Sequence, residues 1–366
     1  MEYNIVILPG DGIGPEIVKE AEKILQICAS AYSTTLNLKK YCAGGASIDK
    51  YGTPLTDKAF EACKKSDAIL LGNIGGDKWN GLPIEKRPER VLFRLRGELG
   101  LSVNIRPIFI KPSLIRQSVL KKERLIHGID TVFIRDVTGG ELPSEKYQGV
   151  GKFGKEAFDK DYYNEKIILE AANWAFKIAS QRSKKLLSAD KANGLVSSAL
   201  WRSIFNEKSK EFPSVKFESK LIDDTARDLV SNASDFDVVV APNLFGDIIS
   251  DELTGIVGSK GILPAATLSN SGKGMYEPNQ LHNTDISIVN KNIANPIGII
   301  LSTALMFRYS LNMNDAAKKI EKSVDIVLNN GFATKDIYEE GKKLVSTIEM
   351  GDLISIELKK LLGENK

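Results

Sequence analysis

Two histidines in 366 residues, His127 and His282, argue against a histidine-rich metal centre or a histidine acid–base relay. Three cysteines, Cys28, Cys42 and Cys63, leave an odd thiol and share no metal-ligand spacing, so core packing in a reducing compartment is expected rather than a disulfide framework. Neither sign of charge is in excess. Fifty Lys and Arg are interspersed with 47 Asp and Glu for a net charge of +3, which disfavours a nucleic-acid or membrane surface. No apolar run approaches membrane-spanning length, and MEYNIVILPGDG lacks the basic start and long apolar stretch of a signal peptide; a cytoplasmic protein is expected.

What is present is alternation. Apolar runs that read as strands (YNIVILP, DAILLG, TVFIR, KKLLSAD, DVVVAP) alternate with amphipathic stretches such as PEIVKEAEKILQICASAY, which predicts an α/β architecture with much parallel sheet. The C-terminal third carries helical periodicity in NPIGIILSTALMFRYSL and DAAKKIEKSVDIVLNNG, with Pro296 placed at a helix start. The polar, glycine-punctuated segment 139–161 reads as an exposed arm or loop. At this length the chain can form two domains, each with a full core.

Several motifs bear chemistry. LPGDGIGPE lies at a strand-to-helix turn but departs from a dinucleotide fingerprint: Pro15 takes the last glycine position, and LNLKKY, where an acidic residue should follow, is basic. An ordinary Rossmann fold is therefore disfavoured, and a plain tight turn and a ligand-facing turn both stay open. NLFGDIISD follows FDVVVAP and stacks Asp247 and Asp251 one helical turn apart, at a cost of about 0.2–0.5 kcal/mol as a like-charge pair. A solvated helix face would tolerate that cost. A divalent cation would turn it into a binding site just beyond a strand's carboxyl end. Arg87, Arg90, Arg94, Arg96 and Arg106 cluster between residues 87 and 106, and Arg135 closes the strand TVFIR; guanidinium forks of this kind suit a small di- or tricarboxylate. Lys191 follows the strand LLSAD, where a nearby cation would lower its pKa and let it carry a proton. Asp223 and Asp224 read equally as a third metal ligand or a helix cap.

Taken together, LPGDGIGPE, GGASID, LLGNIGG, KWNGLP, RPE with LFRLR, NIRP, RDVTGG, DKAN, NLFGDIISDE, NIANP and TIEMGD resemble the 3-isopropylmalate dehydrogenases of leucine biosynthesis. These lie within the wider family of decarboxylating 2-hydroxyacid dehydrogenases that includes isocitrate dehydrogenase. The resemblance runs from residue 4 to about 360, and TGG after Arg135 favours the isopropylmalate branch. It implies a two-domain fold with a large mixed sheet, unlike an ordinary Rossmann fold. A discontinuous cofactor-side domain would comprise residues 1–101 and 258–366, and a substrate, metal and dimerisation domain residues 102–257, with its arm near 139–161. It further implies a homodimer with shared active sites, NAD as cofactor and Mg2+ or Mn2+ as the metal.

By matching motif positions, the resemblance implies that Arg96, Arg106 and Arg135 hold the substrate carboxylates while Leu92 faces the isopropyl group. Asp247 and Asp251, with Asp223 of the partner subunit, would bind the metal, and Lys191 of the partner subunit would take the hydroxyl proton. Ile13, Glu89, Glu277, Asp285 and Asn295 would contact NAD, the acidic Asp285 favouring NAD over NADP by repelling a 2′-phosphate.

Two departures stand out. Leu142 replaces a tyrosine that in the family assists protonation (TGGELPS against TGGIYFG), which makes Tyr147 a candidate substitute. EPNQLHNTDISIVNKNIANP lacks the family's GSAP core in the adenosine loop. Leu142 keeps open a paralogous dehydrogenase for another 3-substituted malate, and both departures keep open a catalytically silent binding or regulatory subunit.

Overall fold

The computed structural model describes residues 1–279 and 286–363. The chain divides into two compact units, Met1–Leu101 with Ser259–Lys366, and Ser102–Gly258. The first segment of unit one runs β1 (Glu2–Leu8), α1 (Gly14–Ala31), β2 (Thr35–Lys40), α2 (Gly45–Tyr51), α3 (Asp57–Lys65), β3 (Ala68–Leu71) and α4 (Arg90–Leu99). Unit two follows with β4 (Val103–Ile110), β5 (Ile129–Asp136), β6 (Lys146–Gly151), β7 (Gly154–Asp159), α5 (Glu165–Gln181), β8 (Lys185–Asp190), α6 (Val196–Ser209), β9 (Lys216–Leu221), α7 (Ile222–Ser231), β10 (Val238–Ala241) and α8 (Asn243–Val257). The chain then returns to unit one through β11 (Pro264–Leu268), β12 (Gly274–Pro278), α9 (Ile297–Tyr309), α10 (Asn314–Asn329), β13 (Phe332–Ala333), β14 (Lys343–Leu344) and α11 (Thr347–Leu362).

Each unit carries a mixed sheet. In unit one the order is β2-β1-β3-β12-β11, parallel except for the β11–β12 pair. In unit two it is β4-β5-β10-β8-β9, parallel except for β4–β5. Strands covered on both faces read as continuous apolar runs, which is why AILL of β3 and VVVA of β10 are wholly buried. The α/β mixed-sheet class expected from the alternation is what the chain adopts.

In unit one, an apolar cluster gathers Leu8, Phe60, Leu71, Leu92, Leu95 and Met275. Helix α9 is buried along nearly its whole length and packs on β11, β12, α1 and α10, so its apolar sequence is a core signal. Among the described residues no helix is long and apolar enough to cross a membrane. The glycine-rich turn after β1 is a clamp: the buried Asp11 carboxylate accepts the backbone N–H groups of Gly45 (2.8 Å), Ala46 (2.7 Å) and Gly75 (2.9 Å). Burial still raises the Asp11 pKa against those three bonds.

Unit two is built on aromatic packing. Phe176 of α5 stacks on Phe212 (4.9 Å between centroids) and meets Phe205 and Phe217, while Trp201 stacks on Phe205 and donates its indole N–H to Ser188 Oγ at 2.9 Å. The segment after β5 forms an exposed antiparallel hairpin, β6–β7. Truncating Phe176 to alanine should lower unfolding stability by about 3–5 kcal/mol, read from the denaturant midpoint; a change below about 1 kcal/mol would show that this cluster is loosely packed.

Candidate active site

Strand register decides which side chains meet in unit two. Arg135, near the end of β5, lies opposite Asn104 of β4 on one side and Ala241 of β10 on the other. Helix α8 starts at Asn243, two residues beyond Ala241, and so brings its first turns within reach of the Arg135 guanidinium. Nε and Nη2 of Arg135 donate to Asn243 Oδ1 at 3.0 and 2.9 Å, and Nη1 donates to Asp247 Oδ1. Gly246 makes room for the arginine stem, since a Cβ there would stand 3.1 Å from both Cβ and Cγ of Arg135.

Arg106 reaches the same helix from β4. Its Nη2 donates to Asp247 Oδ1 (3.0 Å), and its Nη1 donates to Asp251 Oδ1 (3.3 Å) and to Ser250 Oγ (2.9 Å); Nε is fixed by Asn104 Oδ1 at 2.7 Å. The two stacked aspartates are thus held by two guanidinium groups. The arginine side chains are 8 % and 12 % exposed, whereas the aspartates are 42 % and 54 % exposed. The cations are anchored inside the unit and the carboxylates open outward.

A second constellation in unit two comes from β8 and β9. Asp190 pairs with Leu221 in the parallel register, so Lys191 and Asp223, one and two residues past those ends, stand at the same level. Lys191 Nζ donates to Asp223 Oδ1 at 2.6 Å, and both side chains are open to solvent. This hydrogen bond holds the Asp223 carboxyl below the usual carboxylate range. The turn beneath is fixed by buried Asp190, which accepts Arg202 Nε (2.9 Å) and Nη2 (2.8 Å) and the Ala192 N–H (2.8 Å). Among the described residues of one chain, no three His, Cys, Asp or Glu side chains converge to hold a metal ion.

Unit one carries the remaining expected residues. Arg96 on α4 donates to Glu277 Oε1 of β12 at 3.4 Å, and Thr267 Oγ1 donates to the same oxygen. The other oxygen of this buried carboxylate, Oε2, has no hydrogen-bond partner among the described residues. Leu92 lies one turn before Arg96 and is buried in the apolar cluster, with Phe93 beside it exposed. Ile13 is the residue before α1, and Glu89 the residue before α4, its Oε1 close against Gly75. Asn295 accepts the N–H of Ile297 at the start of α9 (3.0 Å) and donates to Asp336 (3.0 Å). Asp285 lies outside the described residues.

Sequence reading passed over three groups that organise unit two: Asn243, Tyr163 and Asp136. Asp136 is fully buried and accepts from Thr138 N–H (3.1 Å), Thr138 Oγ1 (2.8 Å) and Gly139 N–H (2.8 Å); desolvation raises its pKa. Tyr147, the candidate substitute donor, sits on the hairpin, half exposed and stacked on Phe158 at 5.2 Å. Leu142 is an exposed turn residue.

A family model described as isocitrate/isopropylmalate dehydrogenase matches residues 4–354. The 3-isopropylmalate dehydrogenase of Clostridium acetobutylicum is 46 % identical over 357 residues, covering 98 % of this chain and 99 % of the relative. That of Pseudomonas savastanoi pv. phaseolicola is 44 % identical, covering 99 % and 100 %. Among solved structures, isocitrate dehydrogenase from Methylococcus capsulatus superposes with a TM-score of 0.84 at 27 % identity, covering 98 % of this chain and 99 % of that one. A beta-decarboxylating dehydrogenase from Thermococcus kodakarensis gives 0.79 at 27 %, covering 99 % and 97 %.

A test of the second constellation follows from its charge. Because Lys191 lowers the Asp223 pKa, the carboxylate should stay ionised below its ordinary value of 3.8 and protonate only as pH falls through the depressed value. Replacing Lys191 by methionine should move the Asp223 midpoint upward toward 3.8 in a carboxyl NMR titration of the metal-free protein. An unmoved midpoint would mean that the pair does not form in solution.

Proposed function

The chain belongs to the isocitrate/isopropylmalate dehydrogenase family of decarboxylating dehydrogenases, and on that premise we propose that it oxidises and decarboxylates (2R,3S)-3-isopropylmalate with NAD. The products are 4-methyl-2-oxopentanoate and CO2, within leucine biosynthesis. The observation that carries this reading is the Arg106–Arg135–Asp247–Asp251 group. Two fixed cations beside two outward carboxylates form a balanced set, and adding a substrate dianion together with a divalent cation keeps it balanced. A monoanionic or neutral substrate would leave charge uncompensated.

In this reading Arg96, Arg106 and Arg135 bind the substrate carboxylates, and Leu92 borders the alkyl pocket. The hard oxygen donors of Asp247 and Asp251 fit Mg2+ or Mn2+, with Asp223 of the partner subunit as third ligand; among the described residues of one chain no third acidic or histidine side chain joins them, which accords with a donor from a second copy. A cation held there would supply positive charge that acidifies the substrate hydroxyl and favours the enolate left by CO2. NAD, when bound, would supply the acceptor for the C2 hydride. Lys191 of the partner subunit takes the hydroxyl proton. The C3–carboxyl bond then breaks, its electron pair enters the enolate, and a proton returns to C3. With leucine at position 142, Tyr147 is the nearest phenol in sequence to supply that proton.

The buried Glu277 carboxylate, with one oxygen open to a donor, is suited to receive a cofactor hydroxyl. Ile13, Glu89 and Asn295 would border the nucleotide, and Asp285 would accept from the ribose hydroxyls. The protein would act as a cytoplasmic homodimer, each site completed by the partner's lysine and aspartate. Leu142 favours one alternative, a paralogue acting on another 3-substituted malate, which substrate profiling separates.

Purified protein with 3-isopropylmalate, NAD and Mg2+ should form NADH, and Asp247→Asn should cut kcat/KM by about 10³-fold. No turnover by the folded wild type on any 3-alkylmalate, with cation-dependent ligand binding retained, would instead indicate a silent binding subunit. If Tyr147 donates the proton, Tyr147→Phe lowers kcat by about 10²-fold; normal turnover removes it from the mechanism.

A further inference from the structure

Arg135 is backed by a residue whose side-chain amide and backbone N–H are all engaged. Asn243 is 2 % exposed. Its Oδ1 accepts both Nε and Nη2 of Arg135, its Nδ2 donates to the Gly139 carbonyl at 2.8 Å, and its backbone N–H donates to the Tyr163 hydroxyl at 2.8 Å. Tyr163 in turn lies against the Gly139 turn that the buried Asp136 carboxylate holds, and packs edge-on to Trp201, with centroids 5.6 Å apart. Its ring lies so close to the chain that a Cβ on Gly139 would come within 2.4 Å of it.

From this geometry we infer that Asn243 is a positioning residue for substrate binding: its amide fixes one edge of the Arg135 guanidinium and so orients the Nη1 end, which meets Asp247, for the substrate carboxylate, with Tyr163 and the Gly139 turn as its rigid backing. The inference rests on the proposed role of Arg135.

An amide suits this task for two reasons. A carboxylate at position 243 would accept from Arg135 equally well, but it would neutralise the charge that the substrate needs and add a third anion beside Asp247. It would also lose the donor to Gly139. A guanidinium without the backing could still pair with Asp247 through Nη1, yet it would swing about that contact, and small misplacements of a substrate-holding group are costly.

The test combines a substrate-independent and a kinetic reading. In NMR spectra of arginine side chains, the Arg135 Nε–H should be slow to exchange in the wild type, fast in Asn243→Ala and slow again in Asn243→Asp. With 3-isopropylmalate, Asn243→Ala should lower kcat/KM by about 10²-fold, mainly through KM for the substrate, with KM for NAD unchanged. Asn243→Asp should also raise the substrate KM, although its Nε–H is protected. In an Arg135→Lys background, Asn243→Ala should add no further loss, because it acts through the guanidinium.

Equal losses in the two backgrounds, or an Arg135 Nε–H indifferent to Asn243→Ala, would overturn the inference. If the wild type proves inactive on every 3-alkylmalate while the exchange pattern holds, the functional reading fails and the positioning of Arg135 by Asn243 stands.

Discussion

A guanidinium cannot shed its proton to escape burial, so Arg135, at the end of a central strand, obliges its surroundings to supply acceptors. Much of unit two around it answers that demand. Helix α8 must begin where Asn243 can meet one edge of the fork and Asp247 the other. Gly246 must be small enough for the arginine stem to pass. The turn after β5 must present the Gly139 carbonyl to the Asn243 amide, and Asp136 and Tyr163 hold that turn. Removing one of the polar partners leaves a buried polar group unmatched, at a typical cost of about 1–3 kcal/mol, and a larger residue at position 246 crowds the arginine stem.

The same constraint answers why two aspartates stack on one helix face. Within the protein their repulsion is offset by Arg106 and Arg135, which sit deeper than the carboxylates they meet. The arginines therefore serve two purposes that a solvated helix face would not require. They stabilise an otherwise unfavourable pair, and they fix which oxygens turn outward.

How much of this the sequence disclosed depended on the physical signal each part leaves. β3 and β10 are buried on both faces and announce themselves as apolar runs. β2 and β9 lie at the outer edges of the orders β2-β1-β3-β12-β11 and β4-β5-β10-β8-β9, where charged alternation such as KFESKL replaces hydrophobicity, so local composition disguises them. Arg106, Arg135, Asp247 and Asp251 were legible singly, from their charge and their place at element ends. Their mutual pairing was not, because it depends on the register that sets Ala241 beside Arg135. Asn243 and Tyr163 gave no signal beyond the N of NLFGD, since a lone amide and a lone phenol are common in any chain, and the contact of Asn243 with Arg135 depends on where α8 begins. The glycine-rich first turn is held by the Asp11 clamp, which gives it a structural role, and the proposed place of Ile13 beside the nucleotide leaves a ligand-facing role compatible with that clamp.

The departure at position 142 can be placed on the same physical footing. The turn from Asp136 to Gly140 is locked by buried bonds, and the Gly140 N–H is taken by the Tyr162 carbonyl at 2.9 Å. Leu142 lies two residues beyond this lock and is 39 % exposed, so its identity is free of the packing that fixes its neighbours. Substitution there changes the chemistry offered to solvent or substrate without disturbing the arginine–aspartate group. A position whose side chain carries little folding free energy can drift or be retuned, whereas Asn243, Arg135 and Gly246 cannot change one at a time without leaving a void, a clash or an unpaired group. The departure at position 142 therefore falls where the fold imposes least, which is why the arginine–aspartate group can remain intact beside it.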